Sequence, residues 1–344
     1  MKKYISILLA AVMAAGCLTA CGQNSSNTNS DVQVSNAETS EETNYTDDKK
    51  LKVVTTIFPE YDWVRAIAGD EASNIDLTML LDNGVDLHSY QPTVDDIMKI
   101  SDCDLFVYVG GESDAWVDDA LKEAVNKDMQ VINLLEVLGS SVKEEELVEG
   151  MEAEEGETEG GAEEEPEYDE HVWLSLKNAQ TICNAIAKSL ETIDPEHKDV
   201  YTANVEAYTK KLSSLDVQYQ DAVANASQKT LLFGDRFPFR YMVDDYGLKY
   251  YAAFAGCSAE SEASFETISF LAKKADELGL KNIMTIENSD QKIAKTIRDN
   301  TKDKNQEILS LDSMQSTTSE DVKNGTTYLS VMESNLDVLK KALQ

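Results

Sequence analysis

Three histidines in 344 residues are few enough to judge one by one. His88 follows a β-branched run and the turn residues Asn83 and Gly84, and precedes Tyr90, Gln91, Pro92 and a Thr93-to-Asp96 capping pattern. That puts it in a loop outside the carboxyl end of a strand, where α/β sheets carry their ligand sites. His171 closes an acidic run, Asp169-Glu170-His171-Val172-Trp173, directly ahead of a helical pattern. His197 lies among the solvated charges of Asp194-Pro195-Glu196-His197-Lys198 and reads as a surface residue. Imidazoles beside carboxylates can hold a divalent cation. The motifs of hydrolytic chemistry are missing: there is no HExxH and no GxSxG, and with His197 set aside there are too few histidines for a zinc site of three imidazoles.

Cysteine offers less. Cys17 and Cys21 fall in the leader, and Cys103, Cys183 and Cys257 are an odd number at wide spacing, with no CxxC clamp and no disulfide framework. Cys183, among Ile182, Ala185 and Ile186 in a helical pattern, reads as a buried small hydrophobe. None of the three is assigned a chemical role.

The elements that must position the histidines alternate. Short β-branched runs at 52–57, 75–81, 105–109 and 130–135 are separated by helical patterns at 61–67, 94–100 and 115–125. The alternation resumes with strands expected at 230–233, 250–254, 282–286 and 307–311 and helices at 239–245, 265–278, 291–300 and 319–343. This is the pattern of two α/β lobes with largely parallel, Rossmann-like sheets. Between them Tyr201, Val205, Tyr208, Leu212, Leu215, Tyr219 and Ala222 form one apolar stripe on a helix of roughly 30 residues, about 45 Å long. Asp194 and Pro195 are its expected N-cap and first-turn proline. Such a helix laid across both lobes needs no second chain, so a monomer is expected, and it resists hinge closure.

Charge narrows the partners. With 30 Lys+Arg against 64 Asp+Glu the net charge is -34, which repels a phosphate backbone and excludes nucleic acid. Glu144 to Glu170 carries 15 of the acids and no Lys or Arg. This segment reads either as a solvated loop or as a weak collector of divalent cations.

Met1 to Cys21 has two lysines, an apolar run too short to span a bilayer and small residues before a cysteine, the layout of a secretory signal. Leu18-Thr19-Ala20-Cys21 is similar to the lipobox of bacterial lipoproteins, which makes Cys21 the expected lipid carrier and 1–20 the signal peptide; Cys17 is a second candidate. Residues 21–50, rich in Ser, Asn, Thr and Asp, suit a flexible tether that holds the folded part off the membrane. The expected organisation is then an N-terminal lobe at 51–193 with the acidic loop at 143–170, a linking helix at 194–226 and a C-terminal lobe at 227–344.

Lys52 to Tyr61 (KVVTTIFPEY), the His88 loop with Tyr90 to Pro92, and Glu170 to Leu174 (EHVWL), in that order, resemble the cluster A-I solute-binding lipoproteins of zinc and manganese ABC importers. The resemblance implies two α/β lobes joined by one rigid helix, a metal in the cleft between them, no catalysis, and delivery to an ABC permease in the membrane. Some members of the family are also adhesins, and a surface adhesin or an envelope zinc metalloenzyme is the rival reading. Carried over by position, His88 and His171 match the two N-lobe ligands, and Asp312, after the last strand, matches the aspartate of the C-lobe. The third position departs from the family: counting back from Tyr246-Gly247-Leu248 lands on Arg236, matching Asp-x-Phe lands on Gly234, and Asp235 between them is the chosen ligand. Glu287, at the end of another C-lobe strand, is the reserve ligand or a supporting group. Two imidazoles with two carboxylates do not choose cleanly between Zn2+ and Mn2+; the resemblance implies Zn2+ first and Mn2+ second, because zinc-type members of the family carry a charged loop in the place of residues 143–170.

Overall fold

The computed structural model describes residues 50–152, 167–258 and 262–344. The leader with Cys21 and most of the tether lie outside them. Four parallel strands make the first sheet, β1 (Leu51–Thr55), β2 (Ile75–Met79), β3 (Leu105–Tyr108) and β4 (Gln130–Asn133), in the order β2-β1-β3-β4. Helices α1 (Phe58–Ala68), α2 (Val94–Ser101), α3 (Val117–Lys122), α4 (Leu134–Leu138) and α5 (Leu176–Ile193) accompany it. Every residue of β3 is buried, as the unbroken apolar run Leu-Phe-Val-Tyr requires of a strand covered on both faces.

After α6 (Lys198–Ala224) the second lobe repeats the plan. Its parallel strands β5 (Thr230–Phe237), β6 (Lys249–Ala255), β7 (Asn282–Ile286) and β8 (Glu307–Leu311) take the order β6-β5-β7-β8. Its helices are α7 (Arg240–Tyr246), α8 (Phe265–Leu278), α9 (Lys292–Asn300), α10 (Ser319–Lys323) and α11 (Tyr328–Ala342). In both sheets the first strand lies between the second and third, so the chain departs to opposite sides there and opens a crevice at the carboxyl ends.

Several expected elements differ in detail. The single helix expected at 319–343 is two, because the chain turns at Gly325 (φ +101°) and Thr327 begins α11 by accepting the Ser330 N–H. Strand β4 stops at Asn133, whose side chain accepts the Glu136 N–H and caps α4. Strand β5 runs four residues further than expected, through an irregularity between Phe233 and Arg236. Asp194 does not cap the long helix directly: Pro195–His197 forms a separate 3-10 turn, and Asp194 instead accepts from Tyr201 Oη at 2.6 Å.

The α6 stripe is buried from Tyr201 to Tyr219, but its last member is Val223 rather than Ala222. A strict seven-residue repeat drifts by about 20° per heptad on a straight α-helix, so the buried face moves on by one residue over three heptads. Helix α6 lies against α5, α1 and α11, and one continuous core runs from β1 through these helices to the C-terminus. Tyr219 Oη donates to the Met332 carbonyl at 2.6 Å, Tyr328 Oη to the Trp173 carbonyl at 2.7 Å, and Trp173 Nε1 to the Ser313 carbonyl at 2.8 Å. The lobes are therefore sewn together by buried hydrogen bonds as well as by apolar area.

The base of the acidic loop is also ordered. Glu144 and Tyr168 bridge antiparallel, the Glu145 N–H donates to the Glu167 carbonyl at 2.9 Å, and the Asp169 N–H to the Lys143 carbonyl at 2.9 Å. Beyond this neck, Glu152 pairs with Phe254 on the edge of β6, so residues 144–152 run along the C-terminal lobe, with Glu144, Glu146, Leu147 and Glu149 still facing solvent. Tyr328→Phe, which removes one hydroxyl and leaves the buried Trp173 carbonyl unpaired, should lower unfolding stability by about 1–3 kcal/mol in urea denaturation. A loss under about 0.5 kcal/mol would show that the seam does not depend on this bond.

Candidate metal centre

His88 arrives on the loop after β2. Asp86 Oδ1 accepts its backbone N–H at 3.1 Å and starts the 3-10 turn Leu87–Ser89, with Leu87 buried beneath as the anchor. The returning chain is fixed by the Thr93–Asp96 capping box, whose Asp96 Oδ2 also accepts Tyr90 Oη at 3.0 Å. His171 is set from the neck of the acidic loop: Asp169 Oδ1 accepts its N–H at 2.9 Å and lies 3.1 Å from its Nδ1. Tyr241 of α7 holds that segment from the other lobe, accepting the Lys143 N–H at 3.1 Å and donating to the Asp169 carbonyl at 2.8 Å.

These partners decide which ring nitrogens are bare. A carboxylate only accepts, so His171 carries its proton on Nδ1 toward Asp169 and presents Nε2 as a lone pair. His88 Nδ1 lies 2.8 Å from Ser113 Oγ and 3.5 Å from Glu170 Oε2, which again leaves Nε2 free. The two Nε2 atoms face each other at 3.2 Å. Donor atoms at two corners of a tetrahedron around zinc, each about 2.0–2.1 Å from the ion, stand about 3.3 Å apart. The observed spacing fits a shared ion.

Protonation follows the same geometry. Burial and the neighbouring His171 hold the His88 pKa down to about 3. Burial also opposes charge on His171, but the Asp169 carboxylate, with Glu170 and Asp86 behind it, outweighs that and raises the pKa above the ordinary imidazole value. A proton taken up by the pair therefore goes to His171 rather than to His88.

Asp235 Oδ1 accepts the Arg236 N–H at 2.9 Å, while its Oδ2 is buried without a hydrogen-bond partner. Gly234 has no room for a side chain, since a Cβ there would lie 2.6 Å from the Ala294 backbone. Arg236 reaches across the cleft to Asp86 Oδ2 at 2.6 Å and to the Ser258 carbonyl at 3.4 Å. Asp312 Oδ1 accepts the Met314 N–H at 2.7 Å, and burial together with Glu287 pushes its pKa up to about 6. Glu287 organises the loop after β8, accepting the Ser313 N–H and Oγ at 2.7 Å each and the Gln315 N–H at 3.2 Å. Among the described residues, the potential donors lying within 4.8 Å of one another are His88, His171 and Cys257. The structure thus brings the two histidines together and adds Cys257, while Asp235, Asp312 and Glu287 stand outside that group. Odd cysteine count and wide spacing hid Cys257; its place in Ala255-Gly256-Cys257, just past the carboxyl end of β6, is the same signal that singled out His88.

The family model described as zinc-uptake complex component A, periplasmic, matches residues 53–342. The chain belongs to this family. Among curated members of the zinc-uptake family it is 34% identical over 295 residues to the zinc-binding lipoprotein AdcA of Streptococcus pneumoniae (strain ATCC BAA-255 / R6), covering 86% of this chain and 56% of that protein. It is 31% identical over 295 residues to the high-affinity zinc uptake system protein ZnuA of Bacillus subtilis (strain 168), covering 86% of this chain and 88% of that one. The chain therefore spans little more than half the length of AdcA. The Zn(II)-bound ZnuA-like domain of Streptococcus pneumoniae AdcA superposes with a TM-score of 0.66 at 30% identity, covering 86% of this chain and 99% of that domain.

A metal ion competes with the proton on His171, so zinc affinity should fall as pH drops through the raised His171 pKa. Asp169→Asn removes the charge that raises it. In chelator-competition titrations across pH 5 to 8, this variant should lose affinity by about 10–100-fold at pH 8, and its acid limb should move to lower pH. An unmoved limb would show that Asp169 does not set the His171 proton.

Proposed function

We propose that the chain is an extracytoplasmic solute-binding lipoprotein that captures a divalent transition metal, zinc before manganese, and hands it to an ABC permease for uptake. The observation that carries this reading is the pair of bare Nε2 atoms at 3.2 Å, each oriented from behind through its Nδ1, between two lobes of a zinc-uptake family fold. A cargo site needs neutral nitrogen donors held ready and a frame that does not have to be rebuilt for each ion. The buried seam between the two lobes, with helix α6 (Lys198–Ala224) across both, supplies that frame.

In this reading Cys21 carries the lipid, residues 21–50 tether a monomer to the outer face of the membrane, and the role is binding rather than catalysis. A surface adhesin, one rival reading, makes no use of two imidazoles aimed at one point; an envelope zinc metalloenzyme, the other, would use them but finds neither HExxH nor GxSxG in this sequence. Protein purified without added metal should retain about one zinc per chain by elemental analysis. His88→Ala and His171→Ala should each abolish tight binding in calorimetry without unfolding the chain. Wild-type protein that binds no zinc tightly overturns the proposal.

A further inference from the structure

We propose that Cys257 is the third metal donor, so that the cargo is held by two imidazoles and a thiolate. This rests on the zinc-capture reading and deepens it. The Cys257 sulfur and the two histidine donors all lie within 4.8 Å of one another, and Cys257 comes from the opposite lobe. A sulfur and a nitrogen sharing a tetrahedral zinc stand about 3.5 Å apart, given Zn–S near 2.3 Å and Zn–N near 2.0–2.1 Å, so closing on an ion asks for a movement on the order of 1 Å at most. The thiol is free and only partly exposed.

The local backbone is built for this approach. Gly256 runs directly against the His171 ring, where a Cβ would lie 3.0 Å from Cε1 and 3.1 Å from Nδ1. A side chain at 256 would push the strand end away from the imidazole and carry Cys257 with it. From behind, the Cys257 N–H donates to Glu145 Oε1 at 3.2 Å, so the neck of the acidic loop steadies both His171 and the cysteine.

Among the described residues no carboxylate of the C-terminal lobe, Asp235 included, joins the two imidazoles and the thiol in one group of donors. Arg236 is a permanent cation paired with Asp86 and cannot ligate a metal. Asp312 and Glu287 are engaged in the loop after β8. When the ion enters, the S–H bond breaks as the S–metal bond forms, and the proton leaves to solvent. A thiolate also makes the site softer than two imidazoles with two carboxylates, which favours zinc and disfavours manganese.

X-ray absorption at the zinc edge of the wild-type protein carrying one equivalent of zinc tests this without a substitution, and one sulfur at about 2.3 Å is expected beside nitrogen scatterers. A shell of nitrogen and oxygen alone overturns the inference and leaves zinc capture standing. Cobalt(II) as a probe should give a thiolate-to-metal charge-transfer absorption that disappears in Cys257→Ser. That variant should lose zinc affinity by more than the ~10–100-fold expected for a supporting group, with an unchanged melting curve in the absence of metal. Affinity kept within about threefold in Cys257→Ser, while His171→Ala abolishes binding, overturns the thiolate alone. Wild-type protein that takes up no zinc overturns both. Cys257→Asp should lower the ratio of zinc to manganese affinity, and an unchanged ratio counts against sulfur in the shell.

Discussion

Two imidazole lone pairs pointed at each other across 3.2 Å repel unless something positive lies between them. Most of what surrounds the site can be understood as holding that unfavourable arrangement in place. Each ring is pinned from the far side, His171 by Asp169 and His88 by Ser113 and Glu170, so neither can rotate its bare nitrogen away. The repulsion is relieved by one proton on His171 or by a cation, which makes proton and metal competitors for one place. Selectivity for cations over everything else is thus present before any ion arrives.

Such an arrangement cannot rest on mobile lobes. Trp173, only two residues beyond His171, is clamped between the Ser313 carbonyl, which its indole N–H reaches, and Tyr328, which donates to its own carbonyl. The Asp86–Arg236 ion pair closes the same cleft beside His88. Because Asp86 also accepts the His88 N–H, it couples the position of one imidazole to the opposite lobe. A rigid binder of this kind must admit and release its ion through small loop movements rather than by opening the whole cleft.

Much of this was legible in the sequence where a single physical cause dominates. Short β-branched runs and a period-3.6 stripe marked the two sheets and the long helix, and the rule that ligands collect at strand carboxyl ends singled out His88. His171 was marked by its place at the end of an acidic run ahead of a helix, and the family resemblance of Glu170 to Leu174 made it a ligand candidate. The C-lobe side was less readable. The register of β5 against β6 shifts between Phe233 and Arg236, the stretch where the third ligand was sought, and a register break of this sort leaves no compositional mark. Cys257 was invisible for a different reason: its partners come from residues 88 and 171, and a spacing rule built for ligands on one hairpin cannot see a site assembled across two lobes.

The neck of the acidic loop has a consequence for how this chain can vary. Lys143 through Glu145 and Glu167 through Asp169 are zipped together, and Tyr241 rivets the base of the zip to the C-terminal lobe. Whatever length of chain is spliced in beyond that clasp begins and ends at the same two points. His171 therefore takes its position from the clasp formed by residues 143–145 and 167–169, and a change in those few residues is felt directly at the ion site.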